Sequence, residues 1–479
     1  DAVSPNYILS NTGFRQLSGS YYTRYKHAKS LFSLTGSAYV QQLGILSASH
    51  IGNLTDLNKA LASDTPLVNK PFTYSIQPPS QLIQHYAGKL KWELESELFG
   101  KIITSYTLQE NHRQEFDNHR GDENAALDLN LSTHQLNVVV DKHINNYRWQ
   151  YGAMGEKQTN IYKGRYFVPN YLRYKAGAFA IATLEKDNYL IESGIRYDIQ
   201  NTNTYRNVDG EIVNKKFDFG GVSANISGWR RLNEDLKMHL SLATRFRSPD
   251  INELFSNGLH HGSAALEFGD LGLKLERDYA VSAAISYNHN RLKIQVEPNA
   301  HFFNNYIYLK PTGETQLSVR GAFPVFRYVQ TDARYLGTDA DVRYRLSSKW
   351  IVQTTASLLY VNDVANESFI YGIPAQQASA MFRYTFAELW NLNNGYWWLG
   401  ASHTTRQTRV ERGEDFTESP SAYTLFNTEL GAQYKETPLH FTVGVKNLLN
   451  TSYRDYMNRY RYYADDLGIS FYLTLNYTF

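Results

Sequence analysis

The sequence predicts an all-β protein, a transmembrane antiparallel β-barrel, and three observations carry that prediction. Apolar and polar side chains alternate with a period of two in many segments of the 479 residues. Aromatic side chains make up 14% of the chain, with 37 Tyr ahead of 24 Phe and 7 Trp. The connections between alternating segments fall into a short class and a long class.

Alternation is clearest at the end of the chain. In "LGISFYLTLNYTF", residues 467–479, the odd positions from Ile469 are Ile, Phe, Leu, Leu, Tyr and Phe, while Ser470, Tyr472, Thr474, Asn476 and Thr478 take the other face. Successive strand side chains point to opposite faces, so this segment has one apolar face about 20 Å tall. "NYLIESGIRYDIQ" repeats the pattern, with Tyr189, Ile191, Ile195, Tyr197 and Ile199 against Glu192, Arg196, Asp198 and Gln200. "DYAVSAAISYNHNRLKIQVEP" is a hairpin: Tyr279, Val281, Ala283, Ile285 and Tyr287 continue after "NHN" as Leu292, Ile294 and Val296.

Amphipathic rings suit both rims of a bilayer, which favours a membrane wall over a soluble sandwich. The mean hydropathy of −0.47 and the short apolar run "GAFAIATL" exclude a membrane helix, which needs about 20 apolar residues. With no cysteine there is no thiol catalysis, disulfide framework or Cys-based metal site. A net charge of +2 with interleaved signs gives no nucleic-acid footprint.

Short polar turns are predicted near 26–30, 95–100, 144–147, 186–188, 233–235, 288–290, 347–349, 389–395 and 435–438. Long loops are predicted at 42–80, 112–126, 200–215, 249–275, 306–325, 409–420 and 450–467. Short turns on one side and long loops on the other are the mark of an outer-membrane barrel. A propeller would repeat every roughly 40 residues, and no such repeat is present. The count is about 19 strands. The last strand descends after a long loop, and the first, near Phe14 to Tyr25, descends to a short turn. An odd count that starts outside the cell leads to the expectation of an N-terminally incomplete barrel, with 1–479 as one domain.

Beyond alternation, "VGVKNLLNTSY", Val443 to Tyr453, with its long loop and aromatic-ended last strand, resembles the C-terminal end of TonB-dependent outer-membrane receptors. "FRSPDINELFSNGLHHGSAALEFGDLGLKLERDYAVSAAISY", Phe246 to Tyr287, is similar to that family's loop between two barrel strands, with Leu275 where Pro is commoner. "HIGNLTDL" at 50–57, "NHRQEFDNHR" at 111–120, "YIYLKPTGE" at 306–314 and "RGAFPVFRYVQTDARYLGTDADV" at 320–342 resemble the same receptors. The resemblance implies a 22-stranded barrel with an N-terminal plug, of which this chain lacks the plug, the TonB-engaging box and about the first three strands. It implies active uptake of a ferric siderophore, haem, cobalamin or another metal chelate, no enzymatic activity, and no resident cofactor. The implied partners are the TonB complex, through the plug and box, and the lipid and lipopolysaccharide of the bacterial outer membrane. It also makes Tyr477 and Phe479 a C-terminal assembly signal.

The candidate ligand contacts lie in the long loops. His260 and His261 offer imidazole, a good metal ligand, but neighbours on an extended chain point apart, so a loop-structural pair is the preferred reading. Glu267 lies in the same loop. Tyr453, Arg454, Tyr456, Arg459, Tyr460 and Arg461 interleave rings with guanidinium forks, a chemistry for catecholates, carboxylates or phosphates; a Tyr-rich rim packing on its neighbours is the plainer alternative. In "HRQEFDNHR" the crowding of His112, Arg113, Glu115, Asp117, His119 and Arg120 reads as a solvated, ion-paired loop. Arg196, Arg245 and Arg247 are expected to face the lumen, because in lipid at mid-depth each would cost about 2–4 kcal/mol. No HExxH pattern or His-x-His cluster assigns a metal site. Two other classes stay open: a passive porin, and an accessory barrel holding a surface lipoprotein.

Overall fold

The computed structural model describes residues 1–117 and 125–478. One barrel sheet contains 22 strands, and three of them are short, Asn257–His260, Ala265–Phe268 and Ser368–Phe369, which leaves 19 long strands. The first are β1 (Phe14–His27), β2 (Ser30–Gly44), β3 (Ser80–Ser96), β4 (Gly100–Phe116), β5 (Leu127–Ile144), β6 (Tyr147–Gly164) and β7 (Asn170–Lys186). Then come β8 (Tyr189–Val208), β9 (Glu211–Arg231), β10 (Leu236–Arg247), β11 (Glu276–His289), β12 (Leu292–Ser318) and β13 (Gly321–Arg345). The wall ends with β14 (Trp350–Asp363), β15 (Gln377–Leu389), β16 (Leu392–Thr404), β17 (Tyr423–Tyr434), β18 (Leu439–Lys446) and β19 (Ser470–Tyr477). Each long strand pairs antiparallel with the next.

β1 follows β19 in the barrel order, yet among the described residues no pairing register joins them, and nearly every residue of both is exposed. The seam is held at its outer end. There Gly468 N donates to Val3 O at 3.0 Å and Asp465 N to the Tyr7 hydroxyl at 2.7 Å.

Alternation gives the wall two chemically distinct faces. Ile191, Ile195, Tyr197 and Ile199 of β8 are exposed, as are Phe471, Leu473, Leu475 and Tyr477 of β19, and these apolar rows form the lipid face. The opposite face receives the outer loops, which touch Arg113 on β4. Registers carry that face round the wall. Arg113 lies opposite Leu129, Leu131 opposite Asn160, Asn160 opposite Tyr171, and Arg173 opposite Thr202. Arg196 then pairs with Ser223, Asn225 with Ala243, and Arg245 with Asp278. Residues two apart share a face, so Arg196, Arg245 and Arg247 lie on the same face as Arg113.

Two expected loops prove to be strand. Segment 200–215 is the top of the β8–β9 hairpin, turned by Asp209 (φ +52°) and Gly210 (φ +92°), the pair of left-handed residues that a type I′ turn requires. Segment 306–325 is the top of β12 and β13, joined through Val319 and Arg320 and irregular after Phe303 and Pro311. A hairpin satisfies its own backbone N–H and C=O groups, so pairing continues past the bilayer wherever no feature stops it. Segment 112–126 is likewise strand as far as Phe116; His119 and Arg120 lie outside the described residues.

The remaining outer connections fold inward as a lid. Helix α1 (Leu54–Leu61) begins at Asn53, whose side chain accepts from Asp56 N at 2.8 Å, and it buries Leu57 and Ala60. Helix α2 (Ile251–Phe255) carries a capping box between Asp250 and Glu253. The hairpin Asn257–His260 with Ala265–Phe268 adds a parallel edge to β13, Leu266 opposite Val325. Ile51 bridges Ala322. Under these segments lies one apolar core that includes Leu46, Ile51, Leu57, Phe326, Tyr462 and Tyr463. A buried side chain of that size contributes about 1.5–3 kcal/mol, so the lid has a folded core of its own.

Candidate functional site

The lid and the tops of the strands meet in a cluster of charged side chains. Glu115, at the end of β4, is fully buried; it accepts from Arg113 Nη2 at 2.5 Å, Gln81 Nε2 at 3.1 Å and Arg165 Nη2 at 3.5 Å. Asp117 beside it pairs with Arg320 at 2.7 Å. Glu115 and Asp117 are buried and cross-linked to other segments, so the ion pairs expected for this stretch are present but its carboxylates are not solvated. Its polar residues occupy both strand faces, so the sequence shows no apolar row from which a strand could be read.

The two histidines have different partners. His260 lies between Glu267, at 3.1 Å from Nδ1, and Arg113, at 3.1 Å from Nε2. His261 is wholly buried and stacks on His50, ring centroids 5.4 Å apart and Nδ1 3.1 Å from His50 Nε2. Glu267 also accepts from Ser263 Oγ at 2.9 Å and pairs with Arg459 at 3.3 Å. Tyr460 donates to Gly262 O at 3.0 Å. Five of the sequence candidates, His260, His261, Glu267, Arg459 and Tyr460, therefore meet in one place.

The other four belong to a second contact of the last loop. Arg454 pairs with Asp465 at 2.9 Å and donates to Asp64 O at 2.7 Å, and the Tyr453 ring packs on Tyr423 at 4.5 Å. Arg461 is almost fully buried, pairs with Asp415 at 2.6 Å and lies over the rings of Tyr456 and Tyr462. A cavity of about 550 Å³ borders Tyr453, Arg454 and Arg461. Tyr477 stands on the lipid face, 57% exposed, and Phe479 lies outside the described residues.

The wall arginines have partners within the barrel. Arg196 pairs with Asp198, Arg245 with Asp278 at 2.7 Å, and Arg247 with Glu253 at 2.8 Å and Glu276 at 3.0 Å, which ties α2 to the wall.

Below the first cluster is a cavity of about 720 Å³. His260, Glu267 and Arg459 form part of its roof; Arg113, Arg173 and Tyr171 belong to its wall, with Leu129, Leu131 and Phe167. Sequence reasoning did not single out Arg173, although Tyr171, Arg173 and Lys175 alternate in the period of β7. Among the described residues, no group of three His, Asp or Glu side chains is placed to hold a metal ion.

Burial holds the His261 imidazole down to about 4, against opposition from Glu115 and Asp117 and with help from Arg165 and Arg320. Burial pushes the Glu267 carboxyl up, but His260 and Arg459 outweigh it and leave it below the usual carboxylate range. Both shifts have the same consequence for stability. An unfolded lid protonates His261 near pH 6.5 and the folded lid only near 4, so stability falls as pH drops through that window, by about 3 kcal/mol in all. Glu267 adds a loss below its ordinary pKa. Hydrogen-exchange protection of residues 257–268 is expected to drop between pH 6.5 and 4.5, and His261→Gln to flatten the profile; protection independent of pH would contradict this account.

Residues 5–448 match the family described as "TonB dependent receptor-like, beta-barrel". Among solved structures, the copper transporter OprC is similar over 100% of this chain and 74% of its own, with a TM-score of 0.79 and 13% identity. The FrpB iron transporter from Neisseria meningitidis (F3-3 variant) is similar over 97% and 71%, with a TM-score of 0.70 and 13% identity. The siderophore receptor PirA from Acinetobacter baumannii is similar over 99% and 72%, with a TM-score of 0.68 and 12% identity. At these identities the likeness is one of fold.

Proposed function

This chain belongs to the TonB-dependent receptor family, and from that premise we propose that it is the barrel of a gated, energised importer of a chelated nutrient. Its place is the bacterial outer membrane, where the strands supply the span. The cargo we assign is a metal chelate of the kind formed by siderophores, haem or cobalamin. The neighbours named for copper, iron and siderophore transport support the metal part of that reading.

The observation that carries the proposal is the lid. A passive pore needs an open outer mouth, whereas here the loops share an apolar core and are tied by a buried ring stack and by ion pairs between segments far apart in sequence. Such a mouth has to be opened, and TonB acting on a plug would supply the work. In this reading Arg196, Arg245 and Arg247 face the lumen, where they meet water or a plug, and Tyr477 with Phe479 guides assembly.

The test compares radioiron uptake from a panel of ferric chelates in cells with and without this protein, before and after a protonophore. Uptake of at least one chelate is expected to require both the protein and the proton gradient. Gradient-independent uptake, together with steady conductance of the purified protein in planar bilayers, would replace the importer with a passive porin.

A further inference from the structure

The cavity of about 720 Å³ under the lid is lined by charges of both signs, and one of its cations has no ion-pair partner. Three guanidinium groups border it. Arg113 is matched by Glu115 and Arg459 by Glu267. His260 bridges Glu267 and Arg113, and Asp250, which caps α2 and is largely exposed, makes no ion pair with Arg173.

Arg173 has no such match. It is 7% exposed, its Nε has no hydrogen-bond partner, and among the described residues no carboxylate is within ion-pair distance. Its one specific neighbour is the Tyr171 ring, 5.2 Å from the guanidinium carbon. Tyr171 is itself engaged, donating to Gln158 Oε1 at 2.9 Å. A buried cation is normally paired or hydrogen-bonded, because leaving it unpaired forfeits its hydration with no return. The rest of the lining is mixed: Leu129, Leu131, Phe167 and Ile251 give it an apolar side, and Asn111, Gln158 and Asn160 a polar one. The volume is that of a small-molecule site.

We propose that this cavity binds the acid group of an anionic, ring-bearing ligand, with Arg173 as its fixed counter-charge. The inference deepens the importer reading and rests on it: it gives the cargo, or the part that docks here, a net negative charge. A carboxylate fits the guanidinium fork through two parallel N–H···O bonds, and a ring beside it fills the apolar wall. A neutral amide of the same shape cannot accept both bonds, so the site discriminates by charge as well as by shape.

The probes are 4-hydroxybenzoate and its neutral isostere 4-hydroxybenzamide, titrated calorimetrically into the protein purified from outer membranes. The benzoate is expected to bind at least tenfold more tightly than the amide. Arg173→Gln is expected to erase that difference and Arg173→Lys to keep part of it. Arg173→Met removes a buried, unpaired charge, so its melting midpoint is expected to be no lower than that of the unsubstituted protein, and the benzoate is expected to leave it unshifted. Equal affinity for the two probes, or unchanged benzoate affinity in Arg173→Gln, overturns the proposal; so does a lowered Arg173→Met midpoint that the benzoate still raises. If charge discrimination fails while gradient-dependent uptake persists, only the charge assignment falls. Loss of that uptake would remove the importer reading as well.

Discussion

Cells that carry Ile51→Cys with Ala322→Cys are expected to import at less than a tenth of the normal rate when the pair is oxidised, and at the normal rate after reduction. Ile51 and Ala322 form an antiparallel bridge, with Ala322 N donating to Ile51 O at 2.7 Å. Cα atoms in such pairs are about 4.5–5.5 Å apart, within disulfide range. The chain has no cysteine of its own, so oxidation gives one product. The bond would fasten the segment carrying α1 to the β12–β13 hairpin, across the contact that has to part if the lid opens. Undiminished uptake by the oxidised protein would show that this contact stays closed during transport and would remove the gating role of the lid.

Glu115→Ala should loosen the lid more than other single substitutions in the cluster. Glu115 is the common acceptor for Arg113, Arg165 and Gln81, and it has no exposed surface. Its removal leaves two guanidinium groups without their carboxylate, at a cost of about 3–5 kcal/mol for an uncompensated buried charge. Hydrogen-exchange protection in 257–268 would then fall roughly a hundredfold or more, while the central strands keep theirs. Glu115→Gln, which retains one acceptor, should lose less. Equal protection in Glu115→Ala and the unsubstituted protein would show that the arginines are satisfied by other groups.

Different parts of the molecule were legible in the sequence to different degrees. The rows of β8, β11, β12 and β19 could be read directly, because each strand must present an apolar row to lipid whatever its neighbours are. The long hairpins were harder. "NVDGEIV" carries a two-residue turn at Asp209 and Gly210, yet its polar flanks read as loop, since above the bilayer no face has to be apolar. Arg113 and Glu115 were visible as a charged pair, but their burial depends on Arg165 and the 257–268 hairpin, which are distant in sequence. His50 and His261 are 211 positions apart, and neither has a local signal for the other. Arg173 stands plainly in the period of β7, but its lack of a partner becomes visible only once every nearby carboxylate has been placed.

The sequence by itself determined the wall: an all-β membrane barrel and the number of its long strands. The tertiary structure alone decided the lid and the cavity beneath it. The physical reason is the solvent. A bilayer imposes the same demand on every strand separately, so the answer is written locally with a period of two. Water satisfies the polar groups of a loop in many conformations, and only contacts between loops hundreds of residues apart select the one that forms the lid and leaves Arg173 without an ion-pair partner.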